Sequence, residues 1–142
     1  MNLNSDFIKK LRNSGLRPTK QRLKICEVLF NTEKTFHFTI NDLSKIIKEK
    51  INDKISLATV YNTVHAFKKK GYLKEISINS DKSYFDTNTS VHHHFYDEDT
   101  HELIDCREND IDSINVKNNI TGKKINSVEV LIKVASDNQN QN

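Results

Sequence analysis

The chain is 142 residues long, 35% hydrophobic, with one Pro and three Gly, which is enough for one compact domain or two small ones and argues against a disordered chain. No apolar run approaches the roughly 20 residues needed to cross a bilayer, and no charged-then-apolar leader is visible, so a cytoplasmic protein without membrane attachment is expected. The net charge of +3 is unevenly spread: residues 1–82 carry 17 Lys/Arg against 8 Asp/Glu, and residues 83–142 carry 5 against 11, so the first half is suited to a polyanion, with a Lys-rich coding bias as the competing reading.

In chain order, Phe7, Ile8 and Leu11 share one face of a short first helix that stops at Asn13-Ser14-Gly15, a C-terminal cap signal. Pro18-Thr19 starts a second helix with an inward stripe of Leu23, Cys26, Leu29 and Phe30. Cys26 therefore reads as a small buried hydrophobe, and with Cys106 it forms no C-x-x-C pair, so neither a disulfide framework nor a zinc knuckle is expected. A third helix opens on a capping box in which Asp42 reaches back to Thr39, followed by Leu43, Ile46 and Ile47. Ser56 caps a fourth helix that runs to about Lys70 and ends at Gly71.

Two strands follow, Tyr72–Ile78 and Ser83–Thr87, joined by the turn Asn79-Ser80-Asp81-Lys82. Helices followed by a two-stranded wing are the order of a winged helix-turn-helix. Beyond residue 88 the expectation is strands at His92–Tyr96 and Leu103–Cys106, a helix at Ile111–Ile120, a strand at Ile125–Val134 and a disordered tail at 136–142. The fold class is α+β. A winged-helix DNA-binding domain occupies about 1–87, and an α/β dimerisation and metal-sensing domain about 88–135.

On the fourth helix Leu57, Val60, Val64 and Phe67 should face inward. Ala58, Asn62, His65 and Lys69 lie opposite, flanked by Thr59 and Tyr61. Asn62 can pair with adenine or a phosphate, Tyr61 can lie on a thymine methyl and Thr59 can bind a phosphate, while Arg17, Lys20 and Arg22 can clamp the backbone of double-stranded DNA. A solvated amphipathic helix accounts for any one of these residues, but less well for the whole arrangement.

Four of the six histidines lie at His92, His93, His94 and His101. On a strand His92 and His94 point to one face and His93 to the other, and Asp86 and Asp105 stand near enough to complete a shell. Imidazole with carboxylate suits a divalent Zn, Fe or Mn ion rather than a thiolate-built structural zinc site. A lone histidine such as His37 or His101 carries no assignment by itself.

The stretches Gly15-Leu16-Arg17-Pro18-Thr19-Lys20-Gln21-Arg22, His37-Phe38-Thr39, Ala58-Thr59-Val60-Tyr61-Asn62-Thr63 and Phe85-Asp86 followed by His92-His93-His94 resemble the ferric uptake regulator family over nearly the whole chain. The resemblance implies a homodimeric regulator of iron-related genes that binds a pseudo-palindromic operator. It also implies one regulatory metal site of His37, Asp86, His92, His94 and Asp105 that bridges the two domains. Asp97 and Thr100 stand where relatives carry a C-x-x-C pair, so a structural zinc is expected to be absent. An ancillary site would fall on Val91, His93, Asp112 and Val128, two of which cannot ligate. The triple histidine with Phe95-Tyr96, Glu102-Leu103-Ile104-Asp105 and Val128–Lys133 is most similar to the iron response regulator branch, which implies haem at His92, His93 or His94. Three alternatives stand beside this reading: a peroxide sensor of the same family that oxidises His37 or His92, a non-haem metal enzyme built on two histidines and a carboxylate, and a pure interaction module whose histidines bind neither metal nor haem.

Overall fold

In the computed structural model residues 3–138 are described. The chain divides into two compact units between Thr89 and Ser90. The first contains α1 (Leu3–Asn13), α2 (Lys20–Phe30), β1 (His37–Phe38), α3 (Ile40–Ile51), α4 (Leu57–Lys70), β2 (Lys74–Ser77) and β3 (Ser83–Asp86).

Local signals set the helix boundaries. The Thr19 hydroxyl accepts the Arg22 N–H at the start of α2. At α3 both halves of the capping box are present, with Thr39 accepting from Asp42 N–H and Asp42 accepting from Thr39 N–H. Each such cap satisfies donors that no helical carbonyl can reach. Gly71 ends α4 at φ 93°, a left-handed conformation that a side chain disfavours. The helices close on a core of Phe7, Leu11, Ile25, Cys26, Leu29, Leu43, Ile47, Val60, Val64 and Phe67, to which the sheet adds Phe38 and Phe85.

One inward expectation on α4 is corrected. Leu57 is 51% exposed, and Thr63 is fully buried instead. Leu57 directly follows the cap, one turn short of the core. Thr63 shares the stripe 60, 63, 64, 67 and donates its hydroxyl to the Thr59 carbonyl at 2.7 Å, so its burial leaves no polar group unsatisfied.

The wing is a three-stranded antiparallel sheet in the order β1-β3-β2. Its third member, β1, has two residues and no readable periodicity. It exists through pairing with β3, which sets His37 opposite Asp86 and Phe38 opposite Phe85. On the other side Lys74 faces Asp86.

The second unit contains β4 (His94–Asp97), β5 (Glu102–Asp105) and β6 (Leu131–Val134), in the order β5-β4-β6 with β4 and β6 parallel. Three expectations are corrected here. The first strand begins at His94, not His92, and the last is confined to Leu131–Val134. No helix forms at 111–120. Apart from Lys117, that segment is built from Asn, Asp, Ser and β-branched residues, which are weak helix formers. Ile114, Val116 and Ile120 are exposed, so no packing offsets the weak propensity. Of the expected disordered tail, residues 139–142 lie outside the described residues, while Ser136 donates both its N–H and its hydroxyl to the Asp99 carboxylate. No helix among the described residues is long and apolar enough to cross a membrane.

Candidate metal centre and nucleic-acid interface

In the second unit three potential ligands converge. Antiparallel pairing sets His94 directly opposite Asp105. The His94 Nε2 lies 3.0 Å from Asp105 Oδ1, and the His92 Nε2 lies 3.5 Å from the same oxygen. Strand alternation does not bring His92 there, because His92 precedes β4. Its Nδ1 lies 2.8 Å from the Ser90 carbonyl oxygen. A carbonyl only accepts, so Nδ1 carries the proton and the Nε2 lone pair is turned toward the cluster. The two imidazole rings sit 4.4 Å apart.

The ligand atoms of His92, His94 and Asp105 all lie within 4.8 Å of one another. Neighbouring donors about 2.1 Å from a shared ion are separated by roughly 3.0–3.4 Å, so the spacings match a common cation. His94 is buried and His92 half-buried, while Asp105 is exposed. Two neutral nitrogens and one anionic oxygen make a donor set of intermediate hardness, suited to Mn, Fe or Zn.

His93 does other work. Its Nδ1 accepts the Val130 N–H at 2.9 Å, tying the entry of β4 to the residue before β6 and leaving its proton on Nε2. His101 adopts a left-handed backbone (φ 62°), and its Nδ1 lies 3.1 Å from the Tyr96 hydroxyl. Asp97 Oδ1 accepts the N–H groups of Asp99 and Thr100, so hydrogen bonds order this turn.

The first unit carries a second pair of potential ligands. Opposed on adjacent strands, His37 and Asp86 present side chains on one sheet face. The His37 ring meets Tyr84, two residues from Asp86, edge-on at 6.0 Å. Asp86 is 2% exposed, and its Oδ1 accepts the Asn88 N–H at 2.8 Å, which fixes the carboxylate. Sequence reading missed Lys74 as the other neighbour of Asp86, because a register cannot be read from one strand alone.

The outward face of α4 displays Ala58, Tyr61, Asn62 and Lys69, with Tyr61 52% exposed. Thr59 is half-buried, and its hydroxyl lies 2.9 Å from that of the cap residue Ser56, so it already serves the helix start. Arg17 and Lys20 are exposed. Arg22 is half-buried and donates from Nη1 to the Arg17 carbonyl at 3.0 Å, bracing the turn that carries Arg17.

Burial pushes the Cys26 thiol up to about 12. The Cys106 thiol is also raised, first by burial and then by Asp110 and Asp105. Neither environment favours a thiolate ligand.

A family model described as the ferric uptake regulator family matches residues 13–134. The chain is 32% identical over 121 residues to the peroxide operon regulator of Bacillus subtilis (strain 168), covering 84% of this chain and 81% of that protein. Among solved structures, the ferric uptake regulator of Vibrio cholerae superposes with a TM-score of 0.68 at 22% identity, over 91% of this chain and 98% of that one. That of Pseudomonas aeruginosa, solved with manganese, gives 0.64 at 22% identity, over 96% and 98%.

Proposed function

Because the chain belongs to the ferric uptake regulator family, we propose that it is a metal-responsive, DNA-binding transcriptional regulator in which His37, Asp86, His92, His94 and Asp105 hold one divalent ion. The observation that carries this reading is the approach of two histidine Nε2 atoms to one oxygen of Asp105, at 3.0 and 3.5 Å. A divalent cation supplies a concentrated positive charge that several ligands can share. The protein's part is to aim them: the Ser90 carbonyl orients His92, the β4–β5 register delivers His94 and Asp105, and the β1–β3 register pairs His37 with Asp86. Only the six residue steps from Asp86 to His92 separate the two ligand groups in the chain, a reach of at most about 22 Å. An ion held by both groups biases the arrangement of the units, and DNA that prefers one arrangement is bound more or less tightly in consequence.

On this reading α4 enters the major groove, with Tyr61 and Asn62 at base edges, while Thr59, Arg17, Lys20 and Arg22 serve the phosphates. Two copies then read a pseudo-palindromic operator. Support for self-association comes from the second sheet, where Phe95 pairs with Ile104 on one side and Ile132 on the other, and Ile104 is 46% exposed. Five protein donors leave an octahedral ion at most one open position. A facial triad leaves three, so the enzymatic alternative is disfavoured. Haem at His92, His93 or His94 rests on the triple histidine alone, and His93 would have to use Nε2 because Nδ1 is engaged by Val130.

The test is DNA binding by the full chain with and without Mn(II). Affinity should change with Mn(II). In the variant carrying His92→Ala and His94→Ala that change should vanish, with at least about a hundredfold loss of metal affinity and unchanged binding without metal. A preserved response would remove these residues from the site. The Bacillus subtilis relative's name favours one second reading, peroxide sensing at the same ligands. Treating the Fe(II)-loaded protein with peroxide should then add 16 mass units to His37 or His92, and unmodified histidines would dismiss it.

A further inference from the structure

His65 lies on α4 one turn beyond Tyr61, so the two side chains share a face. Their rings are 4.1 Å apart at 40°. The His65 ring also meets Phe85, edge-on at 5.3 Å and 79°. Phe85 is 2% exposed and stacks on Phe38, with ring centroids 6.1 Å apart. An exposed ring on the outward helix face is thus connected through one half-buried imidazole to a buried aromatic pair. Phe85 and Phe38 are the chain neighbours of Asp86 and His37.

We propose that His65 is a positioning residue that holds the ring of Tyr61 in a fixed pose against β3, and that it thereby sets how selectively α4 reads a duplex. The inference rests on the reading of α4 as the DNA-reading helix. A half-exposed tyrosine without such a prop would lose rotamer freedom on binding, and that loss would weaken the sequence-specific complex. A ring already packed against His65 has its pose chosen before DNA arrives. Phosphate contacts are indifferent to that pose, so the effect is confined to specific binding. Any planar ring of similar size can replace the imidazole as a prop.

The experiment uses the full chain and a duplex it selects from a randomised pool in the presence of Mn(II), beside a random duplex of equal length. His65→Ala should weaken binding to the selected duplex by about two- to twelvefold and leave the random duplex unchanged. His65→Phe should restore the affinity. Should His65→Ala fail to fold, His65→Leu fills the volume without a ring face and carries the same expectation as alanine. Equal losses on both duplexes, or no rescue by His65→Phe, would overturn the proposal. Tyr61→Ala separates this inference from its premise. If Tyr61→Ala loses equally on both duplexes, α4 does not read bases through Tyr61. If Tyr61→Ala is selective and His65→Ala is silent, the role of His65 alone falls.

Discussion

At His92 the atom that decides the chemistry is the one turned away from the cluster. With Nδ1–H held by the Ser90 carbonyl, it is the Nε2 lone pair that faces the cluster. Such detail is invisible in a sequence, where His92, His93 and His94 look equivalent and only alternation distinguishes them. Strand alternation does not apply to either His92 or His93, since both precede β4, and it is the bond from Val130 N–H that engages His93. The cysteines were legible, because Cys26 falls on an apolar helical stripe and is fully buried. With its thiol pushed up to about 12, only about one molecule in ten thousand would carry the Cys26 thiolate at pH 8, and the thiolate is the reactive form. Iodoacetamide at pH 8 should therefore leave Cys26 unmodified in the folded protein and label it in denaturant. Labelling of Cys26 at equal rates in both states would contradict its burial.

Elements defined by local chemistry were the most legible. Thr19, the Thr39–Asp42 box, Ser56 and Gly71 mark helix ends through bonds made within a few residues, and all four stand in the structure as read. Elements defined by distant partners were not. His37–Phe38 becomes a strand only because β3 lies beside it, and the isoleucine spacing at 111–120 mimics a helix that the intervening Asn, Asp and Ser residues do not sustain. The end of β6 depends on another distant contact. Two hydrogen bonds from Ser136, first from its hydroxyl and then from its N–H, hold the Asp99 carboxyl below the ordinary aspartate value of 3.8. A carboxyl lowered in the folded state contributes stability above its unfolded pKa and loses it as the pH falls through its folded pKa. The clasp should therefore be intact at neutral pH and open in acid below 3.8. An NMR titration should place Asp99 below that value, and Ser136→Ala, which removes the hydroxyl but keeps the N–H, should raise it part of the way back. An ordinary titration of Asp99 in the unsubstituted protein would show that the clasp does not form.

For the whole molecule, the charge division near residue 82 falls close to the point between Thr89 and Ser90 at which the structure parts into two compact units. The candidate ligands of the second unit were legible because they fall within residues 92–105 on neighbouring segments. His37 lies 49 positions before Asp86, and composition or spacing offered nothing to join them. Resemblance alone named His37, and the β1–β3 register then set it opposite Asp86. The central claim is that the first unit contributes ligands to the ion held by the second. Mn(II) affinity of the full chain, measured by electron paramagnetic resonance with and without His37→Ala, tests that claim most directly. At least a tenfold weakening is expected, in line with the roughly 10–100-fold losses that follow disturbance of a ligand shell. An unchanged affinity would confine the ion to His92, His94 and Asp105 and contradict a site shared by the two units.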